Sequence, residues 1–172
     1  RHLEFLDEVE IPEPDTLFDD FSGRSGAAEN HEMGIANHLG PSRLLMKYRS
    51  KLNGQQRSAV DAWFRPRNQA MKKAKLTGRD RTRWNYQRYL KNYLRCVKAI
   101  DENVGRLLDW LEQEGLAENT MVIYSSDQGF YLGEHGWFDK RWMYEESLHT
   151  PLLMRWPGVI KPGTESDALV SN

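Results

Sequence analysis

Asp127 and Gln128 stand side by side in Ser125-Ser126-Asp127-Gln128-Gly129, directly after the apolar, β-branched run Thr120-Met-Val-Ile-Tyr124. A carboxylate and an amide carbonyl are hard oxygen donors of the kind that hold Ca²⁺ or Mg²⁺. The loop that follows carries Glu134, His135, Asp139, Lys140 and Arg141. Lys140 is a compact cation on a flexible stem, suited to one oxygen of a tetrahedral anion. The same residues have plainer readings. Asp-Gln-Gly alone is a turn signal. A loop lysine is ordinarily a solvated charge, and a histidine between Glu134 and Gly136 is ordinarily a hydrogen-bonded surface residue. Spacing alone does not choose between these.

The elements that must position these groups are legible on either side. Thr120–Tyr124 reads as a buried strand of a parallel sheet. In open α/β sheets ligands bind just beyond the carboxyl ends of strands, which is where Asp127 and Gln128 fall. A second apolar segment, Leu152–Trp156, stops at Pro157-Gly158. Upstream, Tyr86, Leu90, Tyr93, Val97, Ile100, Val104, Leu107 and Leu111 alternate in steps of four and three, predicting an amphipathic helix over 80–114 that stops at Gly115. A helix running into a buried strand is half of a βαβ unit. Cys96, beside that stripe, reads as a packing residue. Residues 55–75 read as a helix interrupted near Pro66, with a break at Thr77-Gly78. Residues 1–30 read as an extended arm, because Ile11-Pro-Glu-Pro14 resists helix. Asp19-Asp20 follow no apolar strand and are not read as a metal pair. Phe130, Tyr131, Trp137, Phe138 and Trp142 read as a small core for the loop, with sugar stacking as the alternative.

The chain has 172 residues, enough for one domain with a real core, and 39% hydrophobic content with 11% aromatics argues against a disordered chain. No apolar run approaches the roughly eighteen residues of a membrane helix. One cysteine rules out an internal disulfide framework. Net charge is −1, but it is unevenly spread: residues 1–32 hold ten acids against two arginines, and residues 43–98 hold seventeen Lys or Arg against Asp61 and Asp80. Such asymmetry marks either a polyanion surface or solvated helix faces partly neutralised by the acidic arm. The latter reading is preferred here.

Ser126-Asp127-Gln128-Gly129, Leu132-Gly-Glu-His-Gly136, Lys140 thirteen residues after Asp127, Tyr144-Glu-Glu-Ser147 and Pro151-Leu-Leu-Met-Arg-Trp-Pro-Gly158 occur in one order. This run resembles the C-terminal signature of type I, formylglycine-dependent sulfatases of the alkaline-phosphatase-like superfamily. It is nearest the branch with N-acetylglucosamine-6-sulfatase-like and iduronate-2-sulfatase-like enzymes. Asp101-Glu-Asn-Val-Gly-Arg-Leu-Leu108 is similar to the helix that precedes the metal-ligand strand there.

The resemblance implies an α/β fold, part of an α/β/α sandwich with a mostly parallel central sheet. Residues 1–172 would be a middle-to-late part of one catalytic domain: 1–30 an arm, 31–115 mainly helical, 116–172 the strand and the metal and sulfate loop. It implies a sulfuric ester hydrolase acting on a sulfated sugar or glycosaminoglycan, with no nucleic-acid partner and no membrane span. Asp127 and Gln128 would be metal ligands for Ca²⁺ or Mg²⁺. Lys140 and His135 would be the catalytic and substrate-binding residues. Gln128 stands where many relatives carry Asn or His, which keeps an oxygen donor on a longer arm. The formylglycine motif Cys/Ser-x-Pro-x-Arg does not occur in these residues, so the chain reads as a piece of a longer protein and is expected to be inactive alone. Family resemblance places that protein in the periplasm, outside the cell or in the lysosome. The alternatives are a phosphodiesterase or phosphonate hydrolase of the same superfamily, or a non-catalytic polyanion-binding module using the 43–98 segment.

Overall fold

The structure, a computed structural model, describes residues 2–46 and 51–171. Residues 47–50 of the segment expected to be mainly helical, with the basic residues Lys47 and Arg49, lie outside the described residues, as do Arg1 and Asn172. The chain forms two compact units, Arg1–Val97 with Leu132–Asp139, and Lys98–Tyr131 with Lys140–Asn172.

In the first unit a single helical turn, α1 (Gly26–Glu29), precedes α2 (Gly54–Ala74) and the start of α3 (Gly78–Gln113). α2 begins with a reciprocal capping box: Gln56 N–H donates to the Asn53 side chain while the Gln56 side chain accepts from Asn53 N–H. The helix then runs unbroken through Pro66, against the expected interruption. Phe64 and Met71 are buried on either side of the proline, so both halves are packed. Lys75 ends α2 in the left-handed conformation, and Gly78, at φ +53, opens α3. The core gathers Leu17, Ile35, Leu39, Leu44, Tyr86, Leu90 and Phe138. Each such apolar side chain contributes about 1.5–3 kcal/mol on burial. Thr82, Asn85 and Arg88 are the buried polar or charged side chains among the described residues, and the Asn85 amide donates to Ile35 O at 2.9 Å.

The arm lies along α3, held by side chains from one face. Gln87 accepts from Ile11 N–H and donates to Ile11 O, at 3.1 and 2.7 Å. Tyr86 Oη–H donates to Pro12 O at 2.6 Å, and Arg83 meets Glu13 at 3.0 Å. Pro12 and Pro14 keep this stretch from forming helix of its own, and α3 satisfies its backbone instead. Residues 31–46 are turns and one isolated bridge, Gly34 with Trp137, where mainly helix was expected. Backbone groups there bond partners far along the chain: Ile35 N–H donates to Gly136 O, and Leu44 O accepts from Arg88 of α3.

In the second unit, α3 ends at Gln113 and Gly115 stands at φ +69, the expected stop. β1 (Val122–Ser125) pairs antiparallel with β4 (Leu152–Arg155), with Ile123 opposite Met154 and Tyr124 opposite Leu153. The strand read from the sequence is present, but it has one antiparallel neighbour and is not buried: Ile123 is 55% exposed and Leu153 64%. Two strands have two faces and here neither is covered, so apolar character alone does not bury them. The later half of the α3 stripe is likewise open at Ile100 and Leu107. Cys96 is exposed, which corrects its reading as a packing residue. A last helical turn, α4 (Glu145–Leu148), precedes β4, while β3 (Phe138–Asp139), paired with β2 (Tyr131–Leu132), falls in the Leu132–Asp139 stretch of the first unit.

Candidate functional site

Asp127 and Gln128 occupy a bend just past β1, in the second unit. Ser126 shapes the bend, its hydroxyl donating to Gln128 O at 2.7 Å and accepting from Gln128 N–H at 3.3 Å. The turn and the donor readings are therefore compatible, since Ser126 makes the turn while Asp127 stays exposed and Gln128 half-buried. Gly129 is buried and donates its N–H to Ser147 O at 2.9 Å. A Cβ there would run into the Glu146 and His149 carbonyls, so only glycine lets these backbones meet. Ser147 Oγ in turn bonds Trp142 O, which also accepts from Tyr131 Oη at 3.0 Å. Lys140, directly after β3, is exposed.

His135 belongs to the first unit. Its backbone is left-handed at φ +57, between Gly133 at φ +125 and Gly136 at φ +66. A Cβ on Gly133 would stand 2.5 Å from the Tyr86 ring, and one on Gly136 would stand 2.9 Å from Leu17 O. Glu134 closes the turn, its carboxylate accepting from Leu132 N–H at 2.7 Å. Thr16 Oγ1 accepts from His135 N–H at 2.9 Å.

The imidazole is also held. Its Nδ1 lies 2.9 Å from Asp19 Oδ2, and Arg24 meets the same oxygen at 2.7 Å. Burial works against the Asp19 carboxylate, but the bond from His135, the Phe21 backbone amide and the Arg24 charge outweigh it and hold its carboxyl below the usual range. Nδ1 thus faces an acceptor, Asp19 Oδ2 at 2.9 Å, and a donor, Arg24 Nη1 at 3.1 Å, and the three side chains form one contact. The ring packs on Trp137, which is also stacked on Phe21 at 5.5 Å.

Asp127, Gln128 and Lys140 thus lie in one unit and His135 in the other. The sequence reading missed Asp19, Arg24 and Thr16 as partners of His135. The separation of 116 residues between Asp19 and His135 leaves no local signal for the contact. Of the five loop aromatics, Tyr131, Trp137 and Phe138 are buried and Phe130 and Trp142 half-buried, and Phe138 packs into the core around Leu17 and Ile35 rather than into one of the loop's own.

For metal binding, Asp127 and Gln128 fit a hard cation in kind but not in number. Among the described residues no group of three or more His, Cys, Asp or Glu could hold a metal. Ca²⁺ takes six to eight oxygens, of which these two residues supply a minority.

Three comparisons bear on the whole arrangement. The family profile described as Sulfatase matches residues 33–172. An N-acetylglucosamine-6-O-sulfatase of Bacteroides thetaiotaomicron is 40% identical over an alignment covering 100% of this chain and 34% of that protein. Human N-acetylglucosamine-6-sulfatase is 41% identical over 43% of this chain and 13% of its own length, and a choline-sulfatase of Rhizobium meliloti is 36% identical over 49% of this chain and 16% of its own. A solved structure of a protein in complex with its substrate, D-glucosamine-2-N,6-O-disulfate, matches with a TM-score of 0.88 at 40% identity, over 95% of this chain and 36% of that one. The chain therefore spans about a third of the length of the relative and the structure it matches end to end. With residues 33–172 matched by its profile, the chain belongs to the sulfatase family.

Proposed function

We propose that the protein is a sulfuric ester hydrolase that removes sulfate from a sulfated sugar, with 6-O-sulfated N-acetylglucosamine as the leading substrate. One observation carries this reading: the likeness, along the whole of this chain and a third of the relative, to an N-acetylglucosamine-6-O-sulfatase, matched by a TM-score of 0.88 to a structure that holds a 6-O-sulfated glucosamine. This chain would be a middle-to-late part of the catalytic domain. β1 and β4 would belong to a mostly parallel central sheet, which agrees with the apolar side chains they leave uncovered.

In this reading Asp127 and Gln128 give two oxygen donors to a Ca²⁺ ion, with Mg²⁺ as the alternative, and further donors come from residues beyond this chain. The family's formylglycine nucleophile would likewise come from elsewhere in the protein. The metal, when bound, acidifies the attacking group and neutralises charge on the sulfate. Lys140 holds a sulfate oxygen and offsets charge that builds on the leaving oxygen. His135, held beside Asp19 and Arg24, would serve as a substrate contact or proton donor. No helix among the described residues is long and apolar enough to cross a membrane. A periplasmic, secreted or lysosomal setting, where sulfated glycans are met, fits the proposed substrate.

The test is a ranking of kcat/KM for 6-O-sulfated N-acetylglucosamine, a 2-O-sulfated uronate and choline sulfate. The proposal expects the glucosamine ester to rank first. Preference for choline sulfate contradicts it.

A further inference from the structure

The basic segment that the sulfatase reading leaves unused converges on a cavity in the first unit. The cavity, of about 470 Å³, is lined by Arg67, Arg88, Lys91 and Arg95 with Asp7 and Trp84 among the remainder. Its size falls within the range of about 300–1,000 Å³ typical of small-molecule sites. Four cations thus face one carboxylate. Asp7 is already shared, with Oδ2 on Arg67 at 2.7 Å and Oδ1 on Arg95 at 3.3 Å, while its backbone carbonyl accepts from Lys91 at 3.4 Å. Arg88, buried, donates to Leu44 O and Asn68 Oδ1, both neutral acceptors.

The guanidinium groups are fixed in place by aromatic rings. Arg67 lies 3.4 Å from the Trp63 ring centroid, and Arg88 lies 4.4 Å from that of Phe64. The excess of positive charge is felt inside the cluster: burial, then Arg95 and Arg67, push the Arg88 guanidinium down to about 10. Fixed cations that repel one another in a partly desolvated cavity are preorganised for an anion, because the repulsion is already built in and a bound anion relieves it.

We propose that this cavity binds a tetrahedral oxyanion, a sulfate group, held by Arg88 and Lys91 with Arg67 and Arg95 behind them. Arg88 Nε and Nη2 are taken by Leu44 O and Asn68 Oδ1, which leaves Nη1 for a sulfate oxygen, while Lys91 adds a point charge and Arg67 and Arg95, bonded to Asp7 and to Trp63 O and Phe5 O, contribute their charge. The site's affinity does not depend on the roles given to Asp127 and Lys140.

The experiment is calorimetric titration of the purified protein with sodium sulfate, against sodium chloride at matched ionic strength, in the wild type and in Lys140→Ala. A saturable sulfate isotherm that survives Lys140→Ala is expected, since that variant removes the sulfate contact proposed for the reacting site. Lys91→Met should weaken it by about tenfold, the equivalent of about 1.4 kcal/mol. Asp7→Asn, which removes the competing carboxylate, should tighten it, a change that a purely structural cluster would not show. A heparin-derived disaccharide binding more tightly than inorganic sulfate identifies a saccharide-borne group as the ligand. Equal affinity identifies the free anion, and either result supports the pocket. If no sulfate isotherm survives Lys140→Ala, or if Lys91→Met leaves it unchanged, the proposal is overturned. Arg88→Met is the less telling variant, since it also releases Leu44 and Asn68.

Discussion

Asp19 and His135 are 116 positions apart in the sequence and meet at 2.9 Å. That contact ties the acidic arm to the Gly-Glu-His-Gly turn. Asp19 also holds Arg24, so a carboxylate in an unremarkable stretch organises both a cation and a histidine.

The first prediction follows from the sign of the Asp19 shift. Its folded carboxyl is held below the ordinary value of 3.8, so its contribution to stability is present above that pH and lost as pH falls through the folded value. Asp19→Asn should lower stability at neutral pH, and the gap from wild type should narrow below about pH 4. Urea midpoints at pH 7 and at pH 3 measure it. A gap that stays constant between them contradicts the assignment.

His135 offers a second test. If Nε2 protonates the leaving sugar oxygen, His135→Ala should slow turnover of a sugar sulfate by about 10²–10⁴-fold. It should slow nitrophenyl sulfate far less, because that leaving group departs without a proton. Equal losses on both substrates would assign His135 to positioning alone.

Gly133 carries a third. At φ +125 and 2.5 Å from the Tyr86 ring, an added Cβ is strained and also clashes. Gly133→Ala should cost about 1–3 kcal/mol from backbone strain alone. A gain of about 1 kcal/mol is expected instead for Gly105→Ala, an open helical position with nothing near its Cβ, where alanine is the better helix former. Thermal melts of the two variants compare them, and equal melting temperatures would refute the strain argument.

Lys140 carries a fourth. Lys140→Ala should lose about 2–4 kcal/mol of transition-state stabilisation, read from kcat/KM. Lys140→Arg should rescue it poorly, because a planar fork does not replace a point charge. An unchanged kcat/KM in Lys140→Ala removes the residue from the site.

Much of the local structure was legible in the sequence because its causes are local. The stripe from Tyr86 to Leu111 specifies α3, Gly115 specifies its end, and Ser126-Asp127-Gln128-Gly129 specifies a bend. What was not legible depends on distant partners. Pro66 signalled a break that burial of Phe64 and Met71 overrides. Thr120–Tyr124 signalled a strand correctly, but not its antiparallel pairing with Leu152–Arg155 or its exposure. Asp19 and Arg24 carry no motif, and their link to His135 exists only once the arm is folded back. The roles proposed for Asp127 and Lys140 rest on the family pattern, and their spacing alone would have left them as a turn and a surface charge.

The central claim is that Asp127 is a metal ligand in a sulfatase site. It is tested most directly by measuring bound metal and sulfate release from 6-O-sulfated N-acetylglucosamine together, in the parent enzyme and in Asp127→Ala. The account predicts that the variant loses both metal occupancy and turnover, the latter by orders of magnitude, while remaining folded. Wild-type calcium content with wild-type turnover in Asp127→Ala would contradict it.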